Sequence, residues 1–419
     1  MNRAKLPTIF IMLTVTLDAM GIGLILPVMP DLIAEVRGTN LSDAALWGGI
    51  LSACYAIMQF GFSPTLGNLS DRFGRRPILL VSMAVMALDY VVMAVAGTIW
   101  LLLVGRIVAG MAAATHSTAL AFMADISDKS KRSQNFGLIS AGFGMGFILG
   151  PMVGGLLGDL DPRAPFVAAA ILAGANFVFG WFVLPESLPR EKRRAFNWRR
   201  ANPAGGLMAI GKLPGIKWLL AVMLAYQISN FVYPAIWAYY TQAAFGWSPR
   251  MVGLSLAGYG VSIAIVQAVL IRVALARLGE IRAVWWGLIL NAACLVAYGL
   301  ATEAWMIWLL IPISAMGAIV APAMQGIMSS AAGDDQQGEL QGVLSSLSAL
   351  SMIISPLAMT QAFFWFTRDG VGLYLPGAPF LLAAVLMAVS FGIFAMTRSV
   401  AQAVPEVKAA RTDASGGKT

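Results

Sequence analysis

The run Gly67-Asn68-Leu69-Ser70-Asp71-Arg72-Phe73-Gly74-Arg75-Arg76 is followed by Pro77 to Gly97, where Asp89 is the only charged residue. A basic turn beside an apolar run of that length reads as a cytoplasmic loop entering a transmembrane helix. About 20 apolar residues at 1.5 Å each cross the ~30 Å hydrocarbon core, and Lys and Arg collect on the inner side. The rest of the chain repeats the pattern. Of its 419 residues 59% are hydrophobic and 11% charged, against roughly 25% charged in a soluble domain, which excludes a water-soluble enzyme. The net charge is +8, but the basic residues lie between apolar runs and build no continuous stripe, so they argue for cytoplasmic loops and against nucleic acid. Cys54 and Cys294 fall inside apolar segments, which excludes a disulfide framework or a cysteine zinc cluster. A single histidine, His116, excludes multi-histidine metal chemistry, so no resident metal or cofactor is expected.

Twelve segments are long and apolar enough to span, near 6–27, 46–67, 77–97, 99–122, 136–158, 164–184, 216–237, 250–271, 283–301, 303–326, 340–365 and 374–397. The fold expected is therefore all-α, with twelve transmembrane helices. Arg3 and Lys5 precede the first run, but its length, Asp18 and Pro27 argue for a retained helix and against a signal peptide. With the N-terminus inside, the inner side holds Arg72, Arg75 and Arg76, then Lys129, Lys131 and Arg132, the 190–217 loop, and Arg272, Arg277 and Arg282. The outer side holds only Arg37, Arg163, Arg250 and Arg368, so both termini are expected in the cytoplasm.

The polar stretch after Leu184 divides the chain into six spans plus six. The expected organisation is a six-helix bundle over 1–184, a basic linker over 185–215, a second bundle over 216–397 and a disordered polar tail over 398–419. The linker's Arg190, Lys192, Arg193, Arg194, Arg199 and Arg200 are read as solvated topogenic charge, with attachment to anionic lipid or a partner as the alternative. A faint repeat links the halves. Ala276-Arg277-Leu278-Gly279-Glu280-Ile281-Arg282 follows span eight as Gly67 to Arg76 follows span two. Parallel halves with a site at mid-membrane between them are the build of rocking transporters.

An Asp or Arg near a helix centre costs about 2.5–3.5 kcal/mol to insert, so each one implies a partner or a task. Asp18, Asp89 and Arg106 are the three in the first half. By helical rise, Asp18 and Asp89 each lie about 18 Å into their spans from inside and Arg106 about 10 Å in from outside, which brings all three near one level. Two acids and one base at one depth suit proton exchange; a static ion network is the competing reading. Gln59 adds a neutral hydrogen-bonding wall, and His116 among Ala and Thr reads as a packing residue.

The second half has no such charge. Gln227, Asn230, Gln267, Asn291 and Gln325 supply amides, and Tyr226, Tyr233, Trp237, Tyr239 and Tyr240 supply aromatics. Belt or packing roles are the default for aromatics in spans. Gln227 with Tyr226 and Trp237 nonetheless suits a flat polycyclic ligand. Span five carries Gly137, Gly142, Gly144, Gly146, Gly150-Pro151, Gly154-Gly155 and Gly158. Small residues permit close helix approach and Pro breaks the ladder, so this span can pack tightly and bend.

Gly67 to Arg76 resembles the cytoplasmic loop motif of the major facilitator superfamily. Arg106-x-x-x-Gly110-x-Ala112 resembles its span-four motif, and Gly137-x8-Gly146-x3-Gly150-Pro151-x2-Gly154-Gly155 resembles the span-five motif of its antiporters. The likeness extends to tetracycline efflux proteins through Leu17 to Ile25, Tyr55-Ala56-Ile57-Met58-Gln59, Leu88-Asp89-Tyr90, Phe245-Gly246-Trp247, Val252 to Gly258 and Pro322-Ala323-Met324-Gln325-Gly326. The resemblance implies a twelve-span transporter of the bacterial inner membrane, working as a monomer, that exports a tetracycline bearing a divalent cation in exchange for protons.

Under that resemblance Asp18, Asp89 and Arg106 are the membrane charges of exchange and Gln59 lies in the transport path. Gly67, Asp71, Arg72, Gly74, Arg75, Arg76 and Asp125 form the gating loop and its charge network, and Gly146, Gly150, Pro151, Gly154 and Gly155 form the antiporter helix. Substrate contacts are expected from Gln59, Tyr226, Gln227, Trp237, Asn291 and Gln325. The family pattern has Asp and His where this chain has Asn291 and Ser262. A neutral or differently charged substrate, coupling through Asp18 and Asp89 alone, and an exporter of some other small molecule all remain open, with a metabolite symporter as a further alternative.

Overall fold

The computed structural model describes residues 6–397, apart from 129, 199 and 200. Arg3, Lys5, Lys129, Arg199, Arg200 and the expected tail lie outside the described residues. The described residues are mostly helical, with no strand among them, and eleven of their helices are long and apolar enough to cross a membrane. One, Pro249–Gly299, runs 51 residues, more than twice the roughly 20 that one crossing needs. It takes in the segment expected at 250–271 and all but the last two residues of that expected at 283–301, and its backbone leaves the helical region at Gly279 (φ 72, ψ 168). Gly74 (φ 109, ψ 162) holds the matching place after the second helix, so each repeated turn hinges on one glycine in a region that side chains avoid.

Two compact units emerge, and neither is a simple half of the sequence. The first comprises the described residues within 1–203, 236–260 and 367–370; the second comprises those within 204–235, 261–366 and 371–419.

The first unit is built on α1 (Leu6–Ile25), α2 (Met29–Arg37), α3 (Leu41–Phe73), α4 (Arg75–Val95), α5 (Ile99–Ala112), α6 (Thr115–Ile126), α7 (Arg132–Gly158) and α8 (Ala164–Val183). Its apolar centre joins Phe10, Ile11 and Val15 to Leu79, Met83, Phe122, Met123 and Ile139. α3 continues through most of the expected loop because nothing from Asn68 to Phe73 breaks a helix. Only Gly74 interrupts it before α4.

The α1–α7 seam explains the glycine spacing. Side chains added at Gly142, Gly146, Gly150 or Gly154, a stripe spaced four apart, meet Thr16, Ala19, Met20, Gly23 or Leu24 of α1. With lipid as apolar as a leucine side chain, such close backbone contact is what holds membrane helices together.

The second unit contains the short α9 (Gly205–Met208), α10 (Lys217–Asn230), the start of α11 (Val232–Phe245), the end of α12 (Pro249–Ile265), α13 (Ile271–Gly299), α14 (Ala304–Ala315), α15 (Val320–Ala331), most of α16 (Gln337–Thr367) and α17 (Ala378–Met396). An aromatic triad centres it: Tyr233–Tyr298 5.7 Å, Tyr233–Phe380 5.8 Å and Tyr298–Phe380 5.5 Å between ring centroids. α10 is tied to α17 by Ser229 Oγ donating to the Ala383 carbonyl at 2.8 Å and Ser390 Oγ to that of Val222 at 3.0 Å. A π-turn over 266–270 and a 3-10 turn over 316–319 interrupt the regular helices of this unit.

Candidate functional site

Asp89 on α4 and Arg106 on α5 form an ion pair inside the first unit, 3% and 8% exposed. Gly105 makes room for it, since a side chain there would begin 2.9 Å from Asp89 Oδ1. Gly110, one turn on, lets α5 close on the Tyr55 carbonyl and the Met58 side chain of α3, which accounts for the Arg-x-x-x-Gly spacing. Arg106 Nη2 also lies 2.9 Å from Met93 Sδ, and its guanidinium sits over the Tyr55 ring at 5.5 Å.

Asp18 is held differently. It is half-buried on α1, and among the described residues it has no ion pair and accepts no hydrogen bond. It lies within electrostatic range of Tyr55 and Tyr90, and the Tyr90 hydroxyl packs against Gly21, one turn along α1. The structure thus places the three charges around two tyrosines, as one salt-bridged pair and one carboxylate without a countercharge. Tyr55 and Tyr90 had no assigned role in the sequence, although each stands inside a quoted motif, Tyr90 directly after Asp89 and Tyr55 one turn before Gln59. Gln59 is half-buried on α3. His116 is exposed on α6 with its ring edge-on to Phe143 at 5.6 Å.

The remaining expected substrate residues divide between the units. Trp237, in the first, is buried, and its indole N–H donates to Ser255 Oγ at 2.9 Å. In the second, Tyr226 is buried and Gln325 exposed, while Gln227 Oε1 is buried with no hydrogen-bond partner among the described residues. Asn291 is 2% exposed. Its amide donates to the carbonyls of Gly287 at 2.9 Å and Gly317 at 3.0 Å, the second at the 3-10 turn.

At the α3–α4 turn Arg75 is the hub. Its guanidinium meets Asp71 Oδ1 at 2.6 Å and Asp125 Oδ2 at 3.1 Å and donates to Ser70 Oγ at 3.2 Å. Arg76 donates to the Trp181 carbonyl at 2.6 Å, and Arg72 lies over its neighbour Phe73 at 5.1 Å. Nothing lies within 4 Å of a side chain added at Gly67, so packing does not explain that glycine.

The linker takes part in this site. Glu186 Oε1 accepts from the Arg75 backbone N–H at 2.8 Å and from that of Leu188 at 3.0 Å, and Arg193 lies 3.8 Å from the same carboxylate. Ser187 Oγ donates to Asp125 at 3.2 Å, the Arg194 N–H to the Asp71 carbonyl at 3.1 Å, and Asn68 Nδ2 to the Asn197 carbonyl at 2.7 Å. A cavity of about 550 Å³ between turn and linker is lined by Asp71, Arg75, Asp125, Leu188, Lys192 and Arg194. The stretch read as solvated charge is thus docked over 186–197. Its one signal in the sequence was an acid, Glu186, at the head of a basic run.

On the α7 motif, Gly146, Gly150 and Gly154 face α1, whereas Pro151 and Gly155 meet Pro249, Arg250 and Gly253 at the start of α12. Each adjacent pair, Gly150-Pro151 and Gly154-Gly155, therefore serves two helices.

The sequence profile of the Major Facilitator Superfamily matches residues 11–356 and 218–416. The chain is 41% identical over 355 residues to the class C tetracycline resistance protein of Escherichia coli, covering 85% of this chain and 89% of that protein. It is 34% identical over 382 residues to the class B protein of the same organism, covering 90% and 93%. Among solved structures, a bacterial homologue of the human lysosomal transporter Spinster superposes with a TM-score of 0.78 at 13% identity, covering 96% of this chain and 98% of that one.

Proposed function

Because the chain belongs to the major facilitator superfamily, a multi-pass transporter of the bacterial inner membrane rather than an enzyme, we propose that it exports a tetracycline in exchange for protons. The observation that carries the proton part is the unequal pairing of the three membrane charges. Asp89 is neutralised in place by Arg106, so a proton arriving there must first break a buried ion pair, whose separation leaves a charge uncompensated at about 3–5 kcal/mol. Asp18 has no such partner, and a carboxylate at that depth exchanges its proton against whatever cation next approaches it. Asp18 is the exchanging group in this reading, and the Asp89–Arg106 pair holds α4 and α5 around it.

The proposed cycle turns on α1. Asp18 rides on α1, which the α7 glycines hold at backbone contact, so movement of α7 is felt at the carboxylate. A proton bound at Asp18 from outside is released inward, the drug enters from the cytoplasm, and the turn at Gly74 with its Arg75 network sets which end is open. The long helix broken at Gly279 supplies two crossings, giving twelve with both termini inside, and the chain works as a monomer. Gln59, Tyr226, Gln227, Trp237, Asn291 and Gln325 remain the proposed substrate residues. The drug is carried with its divalent cation, which Asp18 meets once deprotonated.

Drug susceptibility in an efflux-deficient bacterial host tests the substrate. Expression is expected to raise resistance to several tetracyclines at least about tenfold and to lose that effect in Asp18→Asn. Unchanged susceptibility to every tetracycline, with another drug class exported, would replace the tetracycline reading with that of a different exporter.

A further inference from the structure

The first unit is fastened at the end remote from the Gly74 turn by side chains distant in sequence. Asp31 on α2 accepts a hydrogen bond from Gln242 Nε2 on α11 at 3.3 Å. Around it, Ser42 Oγ and Thr367 Oγ1 lie 2.8 Å apart, Asn40 Nδ2 donates to Asp369 Oδ2 at 3.2 Å, and the Arg250 N–H donates to Asp159 Oδ1 at 3.1 Å. The Tyr239 hydroxyl packs on the Gly48 backbone. α3 starts at this end and runs 33 residues to the turn, which puts the two about 50 Å apart.

Of the three acids in this clasp, Asp159 and Asp369 are exposed and Asp31 is set inward. It is half-buried, and its partner is an amide. The acids near it are engaged elsewhere: Glu35 pairs with Arg163 at 3.0 Å and Asp43 on α3 with Arg37 at 3.4 Å. α5, also packed on α2, brings no charge before Arg106, which Asp89 holds. From α11 the titratable group within range is Tyr239. Burial pushes the Asp31 carboxyl above the usual carboxylate range, and the Gln242 hydrogen bond offsets this only in part.

We propose that Asp31 and Gln242 form a proton-operated latch on this end of the transporter. The neutral acid donates to the amide oxygen and accepts from the amide N–H, giving two hydrogen bonds. The carboxylate can only accept, so it keeps one and remains charged in a half-buried place. A carboxyl that binds its proton more tightly when closed than when open draws the equilibrium toward closure as pH falls. For the antiporter proposed above, with this end outside, external protons then favour closing behind a released drug, which makes Asp31 a further proton-responsive residue of the exchange.

The test needs no drug, so it can fail independently of the tetracycline reading. A reporter, Ser42→Cys, is placed in a Cys54→Ser, Cys294→Ser background, and its labelling by a membrane-impermeant maleimide is followed in right-side-out membranes at about pH 5.5 and about pH 8. With Asp31 present, labelling is expected to rise between the two pH values about threefold more than in Asp31→Asn, which cancels the thiol's own pH dependence and holds the latch in its neutral form. Gln242→Leu, which removes both amide partners, is expected to label faster than Asp31→Asn at each pH. Identical pH dependence in the Asp31 and Asp31→Asn proteins would overturn the latch. A protein that labels as expected but exports no tetracycline would overturn the drug reading and leave the latch standing.

Discussion

Arg106 on α5 is locked to Asp89 on α4, and Asp18, in range of Tyr55 and Tyr90, has no ion pair among the described residues. That inequality separates a group that shapes the site from a group free to change its protonation.

Breaking the pair by one partner strands a buried charge. Asp89→Asn is expected to destabilise the purified protein by about 3–5 kcal/mol, and the double variant Asp89→Asn, Arg106→Met by clearly less, because the second change removes the uncompensated charge. Thermal unfolding of the three proteins in detergent checks this. Additive losses in the double variant would mean that the two groups are not coupled.

The α7 stripe predicts a positional contrast among glycines that look alike in sequence. Gly146→Val drives a side chain into Thr16, Ala19 and Met20 of α1, whereas Gly137→Ala and Gly144→Ala enter open space. The first is expected to abolish folded protein or transport, and the other two to leave both intact, with a slight gain in helix stability from losing a glycine. Membrane yield and drug resistance of the three variants report the difference.

Glu186 accepts from the first backbone N–H of α4, the role of a capping acid at a helix N-terminus. Glu186→Ala is expected to cost about 1 kcal/mol and to loosen the linker over 186–197. Hydrogen exchange of that segment should rise while exchange in the α1–α7 seam stays unchanged. A Glu186→Ala protein whose linker remained protected would show that the carboxylate does not hold it.

Asn291 donates to two carbonyls in the second unit, a duty that an ionised carboxylate cannot perform. Asn291→Asp is expected to lose about 1–3 kcal/mol of stability, with the loss smaller in acid, where a protonated carboxyl can donate once. Unfolding measured across pH would decide it. A variant as stable as wild type in alkali would show that these two hydrogen bonds contribute little.

Much of this was legible in sequence because the bilayer writes in lengths. Runs of twenty apolar residues, the Lys and Arg between them, and three charges at one depth all follow from what hydrocarbon tolerates. Less legible was whatever depends on a partner far along the chain. Nothing near Glu186 announces that it caps α4, nothing near Trp237 announces Ser255, and nothing beside Gly105 announces that its missing side chain leaves room for Asp89 to meet Arg106. The helix breaks at Ala113–Ala114 and at the 266–270 π-turn carry no Gly or Pro, and that at 316–319 carries only Gly317. α2 was within reach, since Pro30 opens it and Gly38 ends it, the usual asymmetry of helix ends.

If Asp18 carries the exchanged proton, tetracycline accumulation in everted membrane vesicles depends on its carboxylate. Energised vesicles bearing the wild-type protein are expected to accumulate drug and to lose it when a protonophore collapses the gradient. Asp18→Asn vesicles holding the same amount of folded protein should accumulate less than about a tenth as much. Gradient-driven accumulation by Asp18→Asn at near wild-type rate would contradict the account.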